Sequence, residues 1–374
     1  MRALADPLGT WDAFRATTGK RGNGGLTFPM HLVRAIGASY GLTLSSDETN
    51  PDALFFGVHE FASMFEVPKA LRRAKLPELS LLREVGRFPL VWAGGQGVFN
   101  PLPIAKFVDV IVLGDAEVSL PSLLCLWETF GNTSRFLSEA ATVKGVFVPS
   151  IHHESRDILE RGYSNDVSVS LSAGVSGRQA RVEISRGCPK KCAFCGLGWM
   201  GKPRHNDSMA ILSAIACLPS VHLQACDAEA HPQISEIRKS MRASGQIDTG
   251  CTASLDECFD TGSSLFYNKM FNFGIEAATE RVRKRIGKAR LSNEFIVEAT
   301  ADLFRRYNKH GVESSRVAWH MISGLPGEKI DDLDELANTL RELERVMMRR
   351  DKVTGFIQIR WQPLFPQPGT PFQW

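Results

Sequence analysis

The sequence predicts a two-domain chain of the α/β class: a parallel-sheet domain over residues 1–150, a linker over 151–177 and a partial β/α barrel over 178–374. Three observations predict it. Short apolar runs alternate with helical patterns in both halves of the chain. Residues 150 to 178 break that alternation with Ser, Gly, His and charge, in Ser150-Ile-His-His-Glu-Ser-Arg156 and Ser172-Ala-Gly-Val-Ser-Gly177. A chain of 374 residues with 43% hydrophobic and 23% charged content can bury two cores rather than one.

In the first half, Asp52-Ala-Leu-Phe-Phe-Gly57, Phe88-Pro-Leu-Val-Trp-Ala-Gly-Gly95 and Val108-Asp-Val-Ile-Val-Leu-Gly114 each read as a strand that ends in glycine or a polar turn. Open parallel sheets bind ligands beyond the carboxyl ends of their strands, so the loops after Phe56, Ala93 and Leu113 are the places for one. His59, just past the first of these strands, is either a ligand contact or a polar loop residue. In the second half, strand then helix repeats about six times. Val182-Glu-Ile-Ser185 is the first barrel strand. Val221-His-Leu-Gln-Ala-Cys-Asp-Ala-Glu229, Phe271-Asn-Phe-Gly-Ile-Glu276 and Val317-Ala-Trp-His-Met-Ile-Ser323 read as later ones, and an amphipathic helix is expected over Ile330 to Met348. Barrel ligands sit at the carboxyl ends of the strands.

The most specific signal follows that first barrel strand directly. Cys188, Cys192 and Cys195 stand in the run Ser185-Arg-Gly-Cys-Pro-Lys-Lys-Cys-Ala-Phe-Cys-Gly196, with the spacing Cys-x3-Cys-x2-Cys. Three thiols on one short loop leave an iron-sulfur cube one protein ligand short, so one iron is open to a small molecule. Structural zinc is the competing reading, with His205 as fourth ligand, but zinc prefers a closed set of four and no second cysteine pair follows at finger spacing. A disulfide fits less well, because the start of the chain has no charged-then-apolar leader and a reducing cytoplasm is expected. Most of Cys125, Cys217, Cys226, Cys251 and Cys258 are expected to be buried packing residues.

The cysteine run, with aromatic Phe194 before its last cysteine and Gly196 after it, closely resembles the radical S-adenosylmethionine (SAM) superfamily. That resemblance covers residue 178 to the end and implies a partial (β/α)6 radical SAM barrel. It implies a 4Fe-4S cluster on Cys188, Cys192 and Cys195, with SAM on the open iron. Reduction by an external donor such as flavodoxin or ferredoxin would then release a 5'-deoxyadenosyl radical that takes hydrogen from substrate. It further implies that Asp227 stands where the family meets the SAM amino group, although the family's glycines are absent there. Glu276 is placed to accept from the SAM ribose, Arg281 or Arg283 to pair with the SAM carboxylate, and Ile322 and Leu325, around Gly324-Leu-Pro-Gly-Glu328, to pack on the adenine. The bland alternatives are a solvated basic helix face for the arginines and a tight strand-to-helix turn for the Gly-Leu-Pro-Gly run. His320 is either a substrate contact or a packed histidine.

The first half resembles, more weakly, the Rossmann-like cobalamin-binding domain that precedes many radical SAM barrels. Gly94-Gly95 and Gly114-Asp-Ala-Glu117 would lie along that cofactor, since glycine admits close approach of backbone to a flat macrocycle. No Asp-x-His-x-x-Gly occurs, so cobalamin would lack a histidine on its lower face. With cobalamin the resemblance implies C-methylation. Without it, a carbon-skeleton rearrangement or the isomerisation of a nucleotide or nucleic-acid base is implied. A non-catalytic cluster-bearing sensor is the remaining alternative. Lys plus Arg total 44 against 41 Asp plus Glu, which by itself calls for neither nucleic acid nor membrane. Lys190, Lys191, Lys202 and Arg204 nonetheless suit a phosphate-bearing substrate at the barrel mouth. No apolar run approaches the roughly 20 residues that span a bilayer.

Overall fold

The computed structural model describes residues 1–5, 28–45, 51–58, 61–152, 162–163, 174–176, 179–249, 254–256, 270–309 and 316–373. The chain divides into two compact units, Met1–Arg178 and Gln179–Trp374.

The first unit is built on one six-stranded sheet: β1 (Arg2–Ala5), β2 (Thr43–Ser45), β3 (Ala53–Gly57), β4 (Leu90–Gly94), β5 (Val110–Val112) and β6 (Val146–Phe147), in the order β2-β1-β3-β4-β5-β6. All neighbours are parallel except β5 with β6. β1, β2 and β6 were not expected from sequence, being too short to show an alternation of their own. Every residue of β3 is buried, as suits a strand covered on both faces. Its odd members join Trp92, Leu120 and Phe136 on one face, and Leu54 and Phe56 join Val91 and Ile111 on the other. Trp92 lies between Phe55 and Phe136 with ring centroids 4.9 and 5.6 Å away. Asp109 pins β4 to β5 by accepting from the Val91 amide at 2.7 Å and from the buried Arg83 guanidinium at 3.2 Å. Strand order reverses between β1 and β3, so the ligand crevice of such a sheet falls at their carboxyl ends. His59 lies outside the described residues.

Among its described residues the second unit carries six parallel strands in two runs of three. β7 (Gln179–Glu183), β8 (Ser220–Gln224) and β9 (Ile247–Asp248) pair in sequence order, as do β10 (Met270–Glu276), β11 (Arg316–Ser323) and β12 (Phe356–Pro363). Helices intervene as a β/α repeat requires: α1 (Ser208–Ile215), α2 (Ile234–Ala243), α3 (Glu280–Arg285), α4 (Asn293–Lys309) and α5 (Asp332–Arg345). The helix expected over 330–348 starts two residues later and ends as a π-turn over Val346–Asp351. Asp207 caps α1 by accepting from the Met209 and Ala210 amides.

Period-two alternation sorts the faces of both runs. Phe271, Phe273, Val317 and Trp319 are buried against Ile296, Leu303 and Phe304 of α4. The opposite face of that run presents Asn272, His320 and Arg360. In the first run Val182, Val221 and Leu223 are buried, while Arg181, Glu183, His222 and Gln224 are half-buried on the other face. The polar faces therefore lead up to the strand ends where the cysteine loop begins.

Candidate functional site

The cysteine loop leaves β7 through a two-residue ribbon, Ser185–Arg186, paired antiparallel with Arg204–His205. That ribbon closes the loop into a compact lobe. Gly187 turns the chain with φ +81°, and Gly198 packs so tightly on the Lys190 carbonyl that no Cβ fits there. Trp199 donates from its indole N–H to the Cys192 carbonyl at 3.0 Å. Lys191 donates to the Gly198 carbonyl and lies 5.1 Å over the Trp199 ring. From outside the loop, Ala193 N–H donates to the Ile286 carbonyl at 3.0 Å, and Gly196 N–H donates to Gln367 Oε1 at 2.6 Å.

All three loop thiols are half-buried. Burial raises each of their pKa values above the ordinary cysteine range, and neighbouring cysteines add to the effect. Backbone N–H groups of Lys190 and Leu197 oppose it at Cys188 and Cys195. Thiols in such surroundings become thiolates only with a cationic partner, which is the coupling a metal centre supplies. Among the described residues no three His, Cys, Asp or Glu side chains converge closely enough to hold a single ion. A zinc ion needs its donors aimed at one point, whereas each iron of a cluster takes its own thiolate. The donor set therefore fits a cluster better than zinc. His205, the zinc alternative, is engaged elsewhere, 2.8 Å from Ser185 Oγ and packed 5.2 Å from the His231 ring.

Cys226 is a feature the sequence reading missed. Together with Cys125 and Cys217 it is exposed rather than buried, while Cys251 and Cys258 lie outside the described residues. Cys226 follows β8 on the same side as His222 and Gln224, and its sulfur accepts from the Gly187 amide close to Cys188 and Cys195. The alternation Val221, Leu223, Ala225 already places it off the buried face.

Around the loop stand two buried acids, each with a lysine. Asp227 is 6% exposed and pairs with Lys190 at 2.9 Å, and Lys190 also donates to Ser254. Glu276 is 8% exposed and pairs with Lys288 at 3.1 Å. Its backbone is left-handed, φ +67°, at a register shift between β10 and β11. A non-glycine residue held there is strained, and the bulge re-aims its side chain. Gly274 leaves the space that the Glu276 carboxylate and Lys288 ammonium fill, and Lys288 also donates to the Gly274 carbonyl at 2.5 Å. Both charges act on Cys192 and Cys195, so Glu276 and Lys288 belong to the same neighbourhood as the thiols.

Phe194 from the loop packs with Ile286, Ile322, Leu325, Leu364 and Phe372 in one apolar cluster. The turn carrying Leu325 is fixed by Glu328, whose carboxylate accepts from the Gly324 amide at 2.6 Å and the Leu325 amide at 3.3 Å. Glu328 thus caps its own turn instead of opening the following helix.

The two arginines expected at SAM are committed elsewhere. Arg283 is 1% exposed and donates to the carbonyls of Leu291 at 2.6 Å, Ala277 at 2.8 Å and Ala278 at 3.2 Å, and to the Asn293 amide oxygen. Burial lowers its pKa to about 10. Arg281 holds Asp332 with two bonds of 2.9 Å and the Gly327 carbonyl at 2.7 Å. Arg281 ties α3 to the Gly-Leu-Pro-Gly turn and Arg283 ties it to the segments on either side of it, so both guanidinium groups have structural partners in place of the SAM carboxylate expected of either.

The glycine turns of the first unit also depart from expectation. Gly95 has φ +108°, and a Cβ there would lie 2.5 Å from the Val58 carbonyl oxygen. At Gly114, φ +117°, the Gly162 carbonyl stands closer than any Cβ could tolerate. Asp115 N–H donates to that carbonyl at 2.7 Å, and Gly162 N–H donates to Leu113 at 2.9 Å. At both turns the chain's own backbone fills the space a Cβ would take, so packing of the chain is enough to require glycine there.

Comparison with known proteins agrees with the second unit's geometry. A family model for the N-terminal part of radical SAM proteins matches residues 39–149, and a model of the radical SAM superfamily matches residues 182–340. The chain is similar to an uncharacterized protein of Methanocaldococcus jannaschii, 25% identical over 292 residues that cover 75% of this chain. It spans 61% of that relative's length. Among the described residues no helix is long and apolar enough to cross a membrane. Two radical SAM models in tandem, with a three-cysteine loop at the first barrel strand's carboxyl end, make this chain a member of the radical SAM superfamily, whose fold implies a 4Fe-4S cluster and SAM.

Proposed function

We propose that the chain is a radical SAM enzyme that removes a hydrogen atom from a substrate at the polar face of its second unit and so drives a carbon-skeleton rearrangement or isomerisation. The observation that carries this reading is the cysteine loop with two lysine-paired acids beside it. Cys188, Cys192 and Cys195 would hold the cluster. A 4Fe-4S cluster with SAM supplies one-electron reductive cleavage to methionine and a 5'-deoxyadenosyl radical, with the electron from a flavodoxin or ferredoxin.

Each remaining task falls to the chain's own groups. Asp227 receives the SAM amino group, held in place by Lys190. Glu276 accepts from the ribose hydroxyls, its strained backbone fixing the carboxylate before ligand arrives. Lys288 offsets the negative charge of Glu276 and the thiolates. Phe194, Ile322 and Leu325 form an apolar bed for the adenine and keep water from the radical's path.

The test is mass spectrometry of anaerobically reconstituted protein mixed with SAM and a strong reductant. The reading predicts 5'-deoxyadenosine without matching S-adenosylhomocysteine. Equal amounts of the two would restore methyl transfer, and an intact cluster that yields neither, with substrate-free and extract-supplemented protein alike, would overturn the reading.

A further inference from the structure

The polar face of β7 and β8 carries a pair of groups that the radical chemistry leaves unused. Arg181 and His222 are direct register partners on neighbouring parallel strands, and both are half-buried. Arg181 makes one hydrogen bond among the described residues, a long one of 3.5 Å from Nη1 to Gln224 Oε1. Its Nε is fully buried with no acceptor. His222 makes no hydrogen bond among the described residues. Burial first, and the nearby guanidinium second, lower its pKa to about 4, so it stands neutral beside Arg181 with one ring N–H to offer.

Among the described residues no carboxylate answers this cation. Glu183, the next residue on the same face, is held by Arg186 at 2.9 and 3.0 Å. The contrast with the rest of the unit is sharp. Arg283 is saturated by four acceptors, and the buried Arg238 faces both Glu229 and Asp248. A buried donor left without an acceptor is destabilising, and buried guanidinium groups are ordinarily paired. Arg238 also keeps one Nη without an acceptor, but among the described residues it has two carboxylates and Arg181 has none, and Arg181 sits one pleat below the strand ends where Glu183 and Gln224 lead to Cys226 and Asp227.

We infer that Arg181 and His222 form an oxyanion-recognition site that anchors a carboxylate or phosphate group of the substrate. The planar guanidinium offers its two Nη groups as a fork for two oxygens, and His222 adds a third donor. An anion held there would leave the rest of a small substrate pointing along the strands toward the cysteine loop. The assignment rests on the proposal that this face is the substrate side.

Calorimetric titration of the reconstituted, SAM-loaded protein with inorganic phosphate, and separately with acetate, tests it. Wild-type protein should bind at least one of the two anions. Arg181→Gln should weaken that binding by about tenfold or more and His222→Gln by about threefold, with iron content and SAM affinity unchanged. Arg181→Lys, which keeps the charge but loses the fork, should fall between wild type and Arg181→Gln. Tighter binding of phosphate supports a phosphoryl substrate, and tighter binding of acetate supports a carboxylate. Wild-type affinity for both anions in Arg181→Gln would overturn the site, as would failure of the parent protein to bind either. Should Arg181→Gln not fold, unchanged affinity in both Arg181→Lys and His222→Gln decides against it equally. Failure to form 5'-deoxyadenosine leaves these affinities untouched, so the anion site and the radical reading can fail separately.

Discussion

β3, β4 and β5 of the first unit run into glycine turns, whereas β8 and β10 of the second run into acidic side chains, and the two units treat the space beyond their strands in opposite ways. In the first unit the backbone of Val58 fills the approach to Gly95, and that of Gly162 fills the approach to Gly114. In the second unit the strand ends carry Asp227, Glu276 and three half-buried thiols, with Glu276 strained and each acid held by a lysine. Strand-end glycines alone therefore do not mark a ligand site. What marks one is polar or strained chemistry kept at the end of the strand at a cost to stability.

The first way to sharpen this contrast is through the scaffold that supports the second unit's site. Arg283→Ala removes a buried guanidinium and leaves three carbonyls and an amide oxygen without their donor. It should cost about 3 kcal/mol or more of folding stability by urea unfolding. Arg281→Ala, whose partner Asp332 is met near the surface, should cost about 1 kcal/mol or less. Equal costs would mean that the two arginines share one role.

The filled turns of the first unit allow a second, smaller test. Gly114→Ala combines a left-handed backbone with a collision against the Gly162 carbonyl and should lose about 2–3 kcal/mol. Gly131→Ala, at φ +56° with nothing within 4 Å, should lose only about 1 kcal/mol, because strain acts there without a clash. Thermal unfolding of the two variants reads the difference directly. If Gly114→Ala were as stable as Gly131→Ala, the Gly162 carbonyl would not fill that turn.

Much of this was legible in the sequence, and the gaps have physical causes. The cysteine loop is local, so its spacing carries its meaning without the fold. Strands β3, β4, β10 and β11 are buried on at least one face and announce themselves as apolar runs. β1, β2 and β6 are two to four residues long and have no pattern to read. The arginine run on α3 looked uniform, but its members differ by face. Arg283 lies three residues from the buried Ile286 and beside Val282, whereas Arg281 and Arg285 share the face that meets Gly327. That spacing is in the sequence, but the acceptors that fix Arg283 come from Ala277 and Ala278 before α3 and from Leu291 and Asn293 after it. The lysine partners of Asp227 and Glu276 are 37 and 12 residues away, and only the fold brings them together.

The central claim is that the three-cysteine loop holds a cluster with one iron left for SAM. Electron paramagnetic resonance of the anaerobically reconstituted, reduced protein tests it most directly, with and without SAM and beside Cys192→Ala. The account predicts a reduced-cluster signal in the wild type that changes shape when SAM is added, and loss of both signal and iron in Cys192→Ala. A wild-type signal indifferent to SAM, or a Cys192→Ala variant that keeps its cluster, would contradict it.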